Sequence, residues 1–468
     1  MIYYIVLSSV LALAALTVSS RRWVDVFSTL FFGVQAAFAV WLAAGGALDS
    51  TQLGIFTFDT LGMVFHVLMV VTLGFVIVHA RQYLKDEPVG SYRRFFTLLM
   101  LLSTAITCVY YANNAALTWI FLEATTICSA GIIYHRHSEA ALEATWKYIF
   151  VCSTGIAMAY LGILLLCTVV HDGSLDYASL AATIADGNPL YLKVAFLLIV
   201  AGYSCKMEIF PLYTVGVDAN FAAPAPASAF ISTALVNAGF VAVLRIYLLY
   251  ARCGEVFVWA RHVLILIGIV TLAVGAMFLR RTNNYKRFLS YSTIENMGIA
   301  AIGMGVGGAA LWAAVFHVAC HTLIKSSLFL QIGVVRHIYN SYRINRIGNY
   351  ININRVGAIG FMVGTVVLLA FPPSPLFVSE LMIFREIVAS GQWWLIAVML
   401  MLLCIVIYAV WSRMLRLNYQ PNQDELHLSQ VNRRLSYSAL VLLVAAMVLG
   451  LWQPDLLNRA IDTIITLR

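Results

Sequence analysis

Charge is what this chain has least of. Only 11% of its 468 residues are Asp, Glu, Lys or Arg, and 62% are hydrophobic. A soluble chain carries about 25% charged residues. No stretch is long and polar enough to form a soluble domain. Windows of about 20 apolar residues recur from end to end, as membrane spans require. Eight cysteines are present, none in a CxxC pair, which excludes the usual iron–sulfur and zinc-knuckle spacings. Most of these cysteines lie in apolar runs, where a thiol acts as a small packing residue. There is no Walker loop, no GxGxxG after a strand and no nucleophile triad. The N-terminal apolar run has no positive charge before it, unlike a signal peptide. Arg21 and Arg22 follow it, so a retained first span with its N-terminus outside is expected.

What remains is an all-α polytopic membrane bundle. About fourteen spans are expected, at roughly 2–18, 25–46, 56–80, 94–112, 115–133, 146–170, 190–214, 225–251, 256–280, 291–308, 309–335, 355–373, 392–417 and 433–451. Loops after odd spans are mostly basic, such as "RQYLKDEPVGSYRR", "RRTNNYKR" and "RHIYNSYRINRIGNYININR". Exceptions are the mixed "YHRHSEAA" and "VGVDANF", which has no positive charge. Loops after even spans, such as "GGALDSTQ" and "HDGSLDYASLAATIADGN", are acidic or neutral, although "ARCGEV" carries an Arg. By the positive-inside rule the odd loops face the cytoplasm and both termini face outside. The formal charge of +8 thus reflects loops at a membrane and implies no nucleic acid.

Proline interrupts two elements. Pro211 follows Lys206 in "YSCKMEIFPLYT", and three prolines precede Glu380 in "AFPPSPLFVSELMIF". A proline removes a backbone donor, and freed backbone at membrane depth must line a cavity or be buried in protein. Broken helices at comparable places in two halves point to inverted repeats, here about 95–250 and 256–417, within one bundle over 1–468.

Ionisable residues at span depth are Glu123, Lys206, His317, His321, Lys325 and Glu380. Each charge at bilayer centre costs about 2.5–3.5 kcal/mol even on the lenient insertion scale, so such groups must pair, shed charge or meet water. Structural alternatives stand beside the functional one. Glu123 could be an ion-pair partner that fixes packing, Lys206 could snorkel, and either histidine alone could be a packing residue. The "HVACHTLIK" stripe is harder to explain away. Spacing of four holds His317, His321 and Lys325 within about 80° of one helix face and spreads them over about 12 Å of axis. That is a ladder for protons moving through intervening water. "HVACH" has the two-His spacing of a zincin helix but lacks its Glu, so no metal is expected. Haem held between His66 and His171 is a weak alternative, and no cofactor is expected. Glu208 and Glu295 sit nearer to expected span ends or breaks.

Several stretches resemble one family: the antiporter-like subunits of respiratory complex I, Mrp sodium/proton antiporters and membrane-bound hydrogenases. They are "LEATTICSAGIIYHRHSEAALEATWKYIFVCSTGIAMAYLG", "YKRFLSYSTIENMGI", "FHVACHTLIKSSLFL" and "PPSPLFVSELMIFRE". The resemblance covers roughly 95–415 and is nearest to the hydrogenase-4 component F and formate-hydrogenlyase type. It implies a proton-translocating subunit with no redox centre of its own, driven by electron transfer in partner subunits, in a bacterial or archaeal inner membrane. Protons, or Na+ as an alternative, would be the cargo. The resemblance also implies that Glu123 pairs with Lys206, that Lys325 is the central lysine with His317 and His321 beside it, and that Glu380 takes the second broken-helix site. Departures exist. Asn237 stands where many relatives carry a lysine, and "VGVDAN" replaces the usual "WLPDAH". After 451 the residues are too few for the long lateral helix of some members. The alternatives are the membrane half of an inorganic-carbon uptake system and an Mrp-type cation/proton antiporter subunit.

Overall fold

Without water in the bilayer, every backbone N–H and C=O must be satisfied within the protein, which makes helices the default for apolar segments. The computed structural model describes residues 1–45, 51–52, 54–168, 173–421 and 433–466. The first helices are α1 (Ile2–Thr17), α2 (Arg21–Ala43), α3 (Thr60–Tyr83), α4 (Val89–Tyr111), α5 (Ala115–Ile133) and α6 (Glu139–Cys167). Short α7 (Tyr177–Thr183) precedes α8 (Pro189–Met207), α9 (Thr214–Ala222), α10 (Ala225–Phe230) and α11 (Val236–Tyr250). A π-helical turn, Ile231–Leu235, joins α10 to α11. The second half has α12 (Glu255–Arg281), α13 (Tyr285–Val306), α14 (Ala309–Tyr339), α15 (Tyr350–Ile353), α16 (Arg355–Leu368), α17 (Pro375–Ala389) and α18 (Trp393–Tyr419). The last helices are α19 (Arg433–Leu451) and the amphipathic α20 (Asp455–Thr466). Two-residue strands Thr51–Gln52 and Phe56–Thr57 pair antiparallel.

Among the described residues eleven helices are long and apolar enough to cross a membrane, and the chain is a multi-span membrane protein. Two further expected spans are shorter here: α1, and the α16 half of a broken element. The spanning parts of α14 and of α10 through α11 are enclosed by other helices. At 31 residues α14 is about 46 Å long, more than the ~30 Å hydrocarbon core. Its polar face is therefore kept from lipid by protein.

Both expected breaks are present, and the backbone at each finds partners. After α8, Glu208 takes a left-handed conformation (φ 58°) and the Phe210–Pro211 peptide is cis. The Ile209 N–H donates to Ser204 O at 3.1 Å, the Phe210 N–H to Thr271 Oγ1 at 2.9 Å, and the Leu212 N–H to Ser204 Oγ at 3.2 Å. At the second break Ala370 is left-handed (φ 54°) and Pro372–Pro373 is cis. Ser374 Oγ donates to Val367 O at 2.6 Å and accepts from the Leu376 N–H at 3.1 Å, so one side chain closes α16 and caps α17. The sequence predicts a loop at "VGVDANF"; the structure builds it as α9, the second half of the first broken element. The "GGALDSTQ" loop falls largely outside the described residues, as does His171.

Helices α6 and α8 meet at glycines. A Cβ on Gly202 would overlap the Gly155 carbonyl, so the two backbones are in direct contact, as small residues permit in membranes. Gly202→Val is expected to lower the thermal unfolding midpoint in detergent by the equivalent of about 1–3 kcal/mol. Gly33→Val, where a Cβ meets open space, should leave it unchanged. Equal effects would contradict the packing account.

Candidate functional site

The stripe on α14 turns inward. His317, His321 and Lys325 have no exposed surface. Lys325 Nζ donates to Leu289 O at 2.8 Å and, in a short bond, to Ser292 Oγ, both on α13. These partners replace water around a buried ammonium, which has three donors to satisfy. His317 joins two elements: Nδ1 meets Ser379 Oγ on α17 at 2.8 Å and Nε2 meets Asn296 Oδ1 on α13 at 3.1 Å. Asn296 Nδ2 donates to Glu295 Oε2 at 2.5 Å and to Ser292 O at 2.7 Å. A polar chain therefore runs Ser379, His317, Asn296, Glu295. Neither ring nitrogen of buried His321 has a hydrogen-bond partner among the described residues. Glu380, half-buried beside Ser379, lies within electrostatic reach of Glu295.

The first half is built differently. Lys206, 2% exposed, ends α8 and donates Nζ to Tyr148 OH on α6 at 3.2 Å, lying 5.2 Å from that ring's centroid. Glu123 on α5 accepts from Ser153 Oγ on α6 at 2.7 Å and from Thr126 Oγ1 at 3.3 Å. The expected contact between Glu123 and Lys206 is not made: among the described residues no ion pair joins them, and α6 supplies a partner to each. The reason is local. Tyr148 offers Lys206 both an oxygen and a ring face, and Ser153 takes the carboxylate.

Sequence reasoning left aside two buried carboxyls, neither of which forms an ion pair with Lys325 among the described residues. Glu295 and Glu208 both lie within its electrostatic reach. Glu208 is 2% exposed, with Oε1 3.5 Å from Asn220 Nδ2 and Oε2 without a partner among the described residues. Its signal was its place, two residues after Lys206 and immediately before the break. Asn237 on α11 spans the halves. Its Nδ2 donates to Thr322 Oγ1, next to His321, at 2.8 Å, and its Oδ1 has no partner. The neighbouring Gly239 packs against the backbone of Lys206 and Met207. Asp218 on α9 pairs with Arg287 at 2.9 Å.

Among the described residues no group of three or more His, Cys, Asp or Glu side chains converges as a metal site. His66 has both nitrogens engaged, with Tyr111 OH at 3.0 Å and Gln35 Oε1 at 3.2 Å, so its ring packs as part of a polar network between α2, α3 and α4.

Two interrupted helices and ionisable Lys, His and Glu side chains inside a helical bundle define a polytopic membrane protein with polar groups at span depth. The chain belongs to the family described as NADH:quinone oxidoreductase/Mrp antiporter, TM, which matches residues 112–406. Its place in that family is as an antiporter-like membrane subunit. It is 27% identical over 350 residues to a hydrogenase-4 component F homolog of Methylacidiphilum infernorum, covering 72% of this chain and 73% of the relative. It is 29% identical over 371 residues to a probable K(+)/H(+) antiporter component of Rhizobium meliloti, covering 77% of this chain and 36% of that protein. The fold matches a chain of an archaeal respiratory membrane complex, the membrane-bound sulfane sulfur reductase, with TM-score 0.87 and 21% identity over 99% of this chain and 96% of the other. It also matches a chain of the Mrp complex from Dietzia sp., at TM-score 0.84 and 17% identity, covering 100% and 98%. A chain of Thermus thermophilus respiratory complex I matches at TM-score 0.78 and 19% identity, covering 96% and 97%.

Tyr148→Phe keeps the ring but removes the oxygen that Lys206 uses. Thermal unfolding of the purified variant is expected to show a loss of about 1–3 kcal/mol. An unchanged midpoint would show that Lys206 does not depend on that bond.

Proposed function

We propose that this chain translocates protons as the antiporter-like subunit of a multisubunit oxidoreductase complex of the hydrogenase-4 type, in a bacterial or archaeal inner membrane. Electron transfer in partner subunits supplies the energy. The observation that carries the reading is the buried polar file. In the proposal protons pass from Glu123 and Lys206, by way of Asn237 and Thr322, to His321 and Lys325. From there Glu295, His317 and Glu380 continue the path. An ammonium and carboxyls within electrostatic reach of one another can exchange protons through intervening water, because each charge depends on the others for compensation in low dielectric. Two inverted repeats, about 95–250 and 256–417, each hold one broken helix and one part of this file.

Each residue has a role in the proposal. Glu123 and Lys206 load the first half, with Tyr148 and Ser153 of α6 between them. Lys325 switches in the second half, and His317 and His321 carry protons to and from it. Glu380 ends the file. Glu208 joins the scheme as a carboxyl between the broken helix and Lys325, where many relatives use a lysine at the Asn237 position. Orientation follows the loop charges, with basic loops in the cytoplasm and both termini outside. A second reading, a cation/proton antiporter assembly, is favoured by the 29% identity to an antiporter component, although this chain spans only 36% of that protein.

In inverted membrane vesicles, Lys325→Ala is expected to abolish proton uptake with inserted protein at the normal level. His317→Ala and His321→Ala should each lose less, because water substitutes for one missing ring. Normal uptake in Lys325→Ala would sink the proposal. Loss of insertion ahead of uptake would assign the lysine to folding. Glu208→Gln is expected to insert normally and to slow uptake by roughly tenfold or more, as loss of one proton-transfer group does. Uptake unchanged in Glu208→Gln would remove that residue from the path. Reporter fusions after Arg22, after Arg94 and at the chain's last residue should report cytoplasm, cytoplasm and outside. A cytoplasmic signal at the last residue would overturn the orientation.

A further inference from the structure

A cavity of about 710 Å³ lies away from the polar file, where α12 ends and α13 begins. Its volume is within the range of about 300–1,000 Å³ typical of small-ligand sites. Four arginines line it, Arg281, Arg287, Arg343 and Arg346, and its described lining holds no Asp or Glu. Asp218 compensates Arg287 at 2.9 Å. Neither Arg281 nor Arg343 forms an ion pair among the described residues.

The wall is fixed by backbone bonds. The Tyr285 N–H donates to Tyr342 O at 3.0 Å and the Ile344 N–H to Asn283 O at 3.0 Å. These two bonds pin the Arg343 segment across the α12–α13 turn. Asn284 caps α13, accepting from the Lys286 N–H at 2.9 Å and the Arg287 N–H at 3.3 Å. The cationic groups are therefore held at one mouth by an ordered turn. Below them the surface changes character. Phe278 and Tyr291, on the two spanning helices, stack at 5.1 Å and 11°, and Phe221 lies under the Arg287 guanidinium at 4.7 Å.

We propose that this cavity binds an anionic phospholipid, its phosphate held by Arg281 and Arg343 and its glycerol and acyl root against Phe278 and Tyr291. Guanidinium is the side chain best matched to phosphate, with donors in a planar fork. Basic pockets between spanning helices hold anionic headgroups for the same reason. The change from cationic mouth to aromatic wall along one cavity fits an amphiphile better than an acidic peptide, which would leave the aromatic wall unused. The inference depends on membrane insertion alone and does not depend on proton translocation.

The test uses the full-length protein, purified in detergent, stripped of lipid and titrated under native mass spectrometry. Phosphatidylglycerol is expected to bind at least tenfold more tightly than phosphatidylcholine. Arg281→Gln combined with Arg343→Gln should weaken phosphatidylglycerol about thirtyfold, from roughly fivefold contributions of each guanidinium near a membrane surface, and leave phosphatidylcholine unchanged. If the double variant does not yield folded protein, Arg343→Glu alone, on the exposed turn, makes the same comparison. Equal binding of both lipids, or no effect of the substitutions, would overturn the proposal. Competition by millimolar inorganic phosphate as effective as lipid would make this a free-phosphate site. Crosslinks from Arg343→Cys to an acidic segment of a partner protein in the intact complex, with lipid absent, would make it a protein contact. Either result refutes the lipid.

Discussion

Lys325 holds an ammonium group with no exposed surface at the centre of a helix enclosed by other helices, and much of the surrounding arrangement answers the cost of that charge. A lone charge at such a depth is costly even on the lenient scale. Leu289 O and Ser292 Oγ accept hydrogen bonds from it, and Glu295 and Glu208 lie within electrostatic reach. Those partners come from α13 and from the break after α8, so the lysine couples elements far apart in sequence. Removing any one partner leaves the others undercompensated, which is why a site of this kind is sensitive to small displacements.

The packing serves the same end. Glycines bring α6 and α8 into backbone contact, which sets Tyr148 beside Lys206. Interruption of α8 leaves Glu208 in a left-handed conformation, with its carboxyl inside the bundle instead of one turn further along a helix. Ser374 closes one half-helix and caps the next, placing Ser379 where it meets His317. The π turn before α11 lies against the same central helix, and π turns inside helices are frequent at functional sites. Asn237, uncharged, holds the two halves together through Thr322 without adding a further buried charge.

Much of this was legible in the sequence because membrane helices obey strong rules. Apolar length located most of the helices, proline located both breaks, and spacing of four located the inward stripe. Contacts were less legible. A pairing of Glu123 with Lys206 follows from charge alone, yet Tyr148 and Ser153, two uncharged residues of α6, occupy those groups. Glu208 and Glu295 were set aside as near span ends. Burial of Glu208 depends on how the chain turns after Met207, and that of Glu295 on the close approach of Gly275 on α12. "VGVDANF" reads as a loop because it falls between two expected spans, but α9 forms as the continuation of a broken helix with Asp218 anchored to Arg287. The amphipathic α20 carries too little apolar length to register as a span.

The central claim is that the buried file is a hydrated path and not a dry packing core. His321 decides between these, since among the described residues both of its ring nitrogens lack a hydrogen-bond partner. A buried water typically makes about three hydrogen bonds to such groups. A cryo-electron microscopy map of the protein in lipid nanodiscs, at a resolution that shows ordered water, is the direct measurement. The account predicts water density joining His321 to Lys325 on one side and to the Asn237 amide oxygen on the other. Apolar side chains packed against both ring nitrogens, with no water between His321 and Lys325, would contradict it.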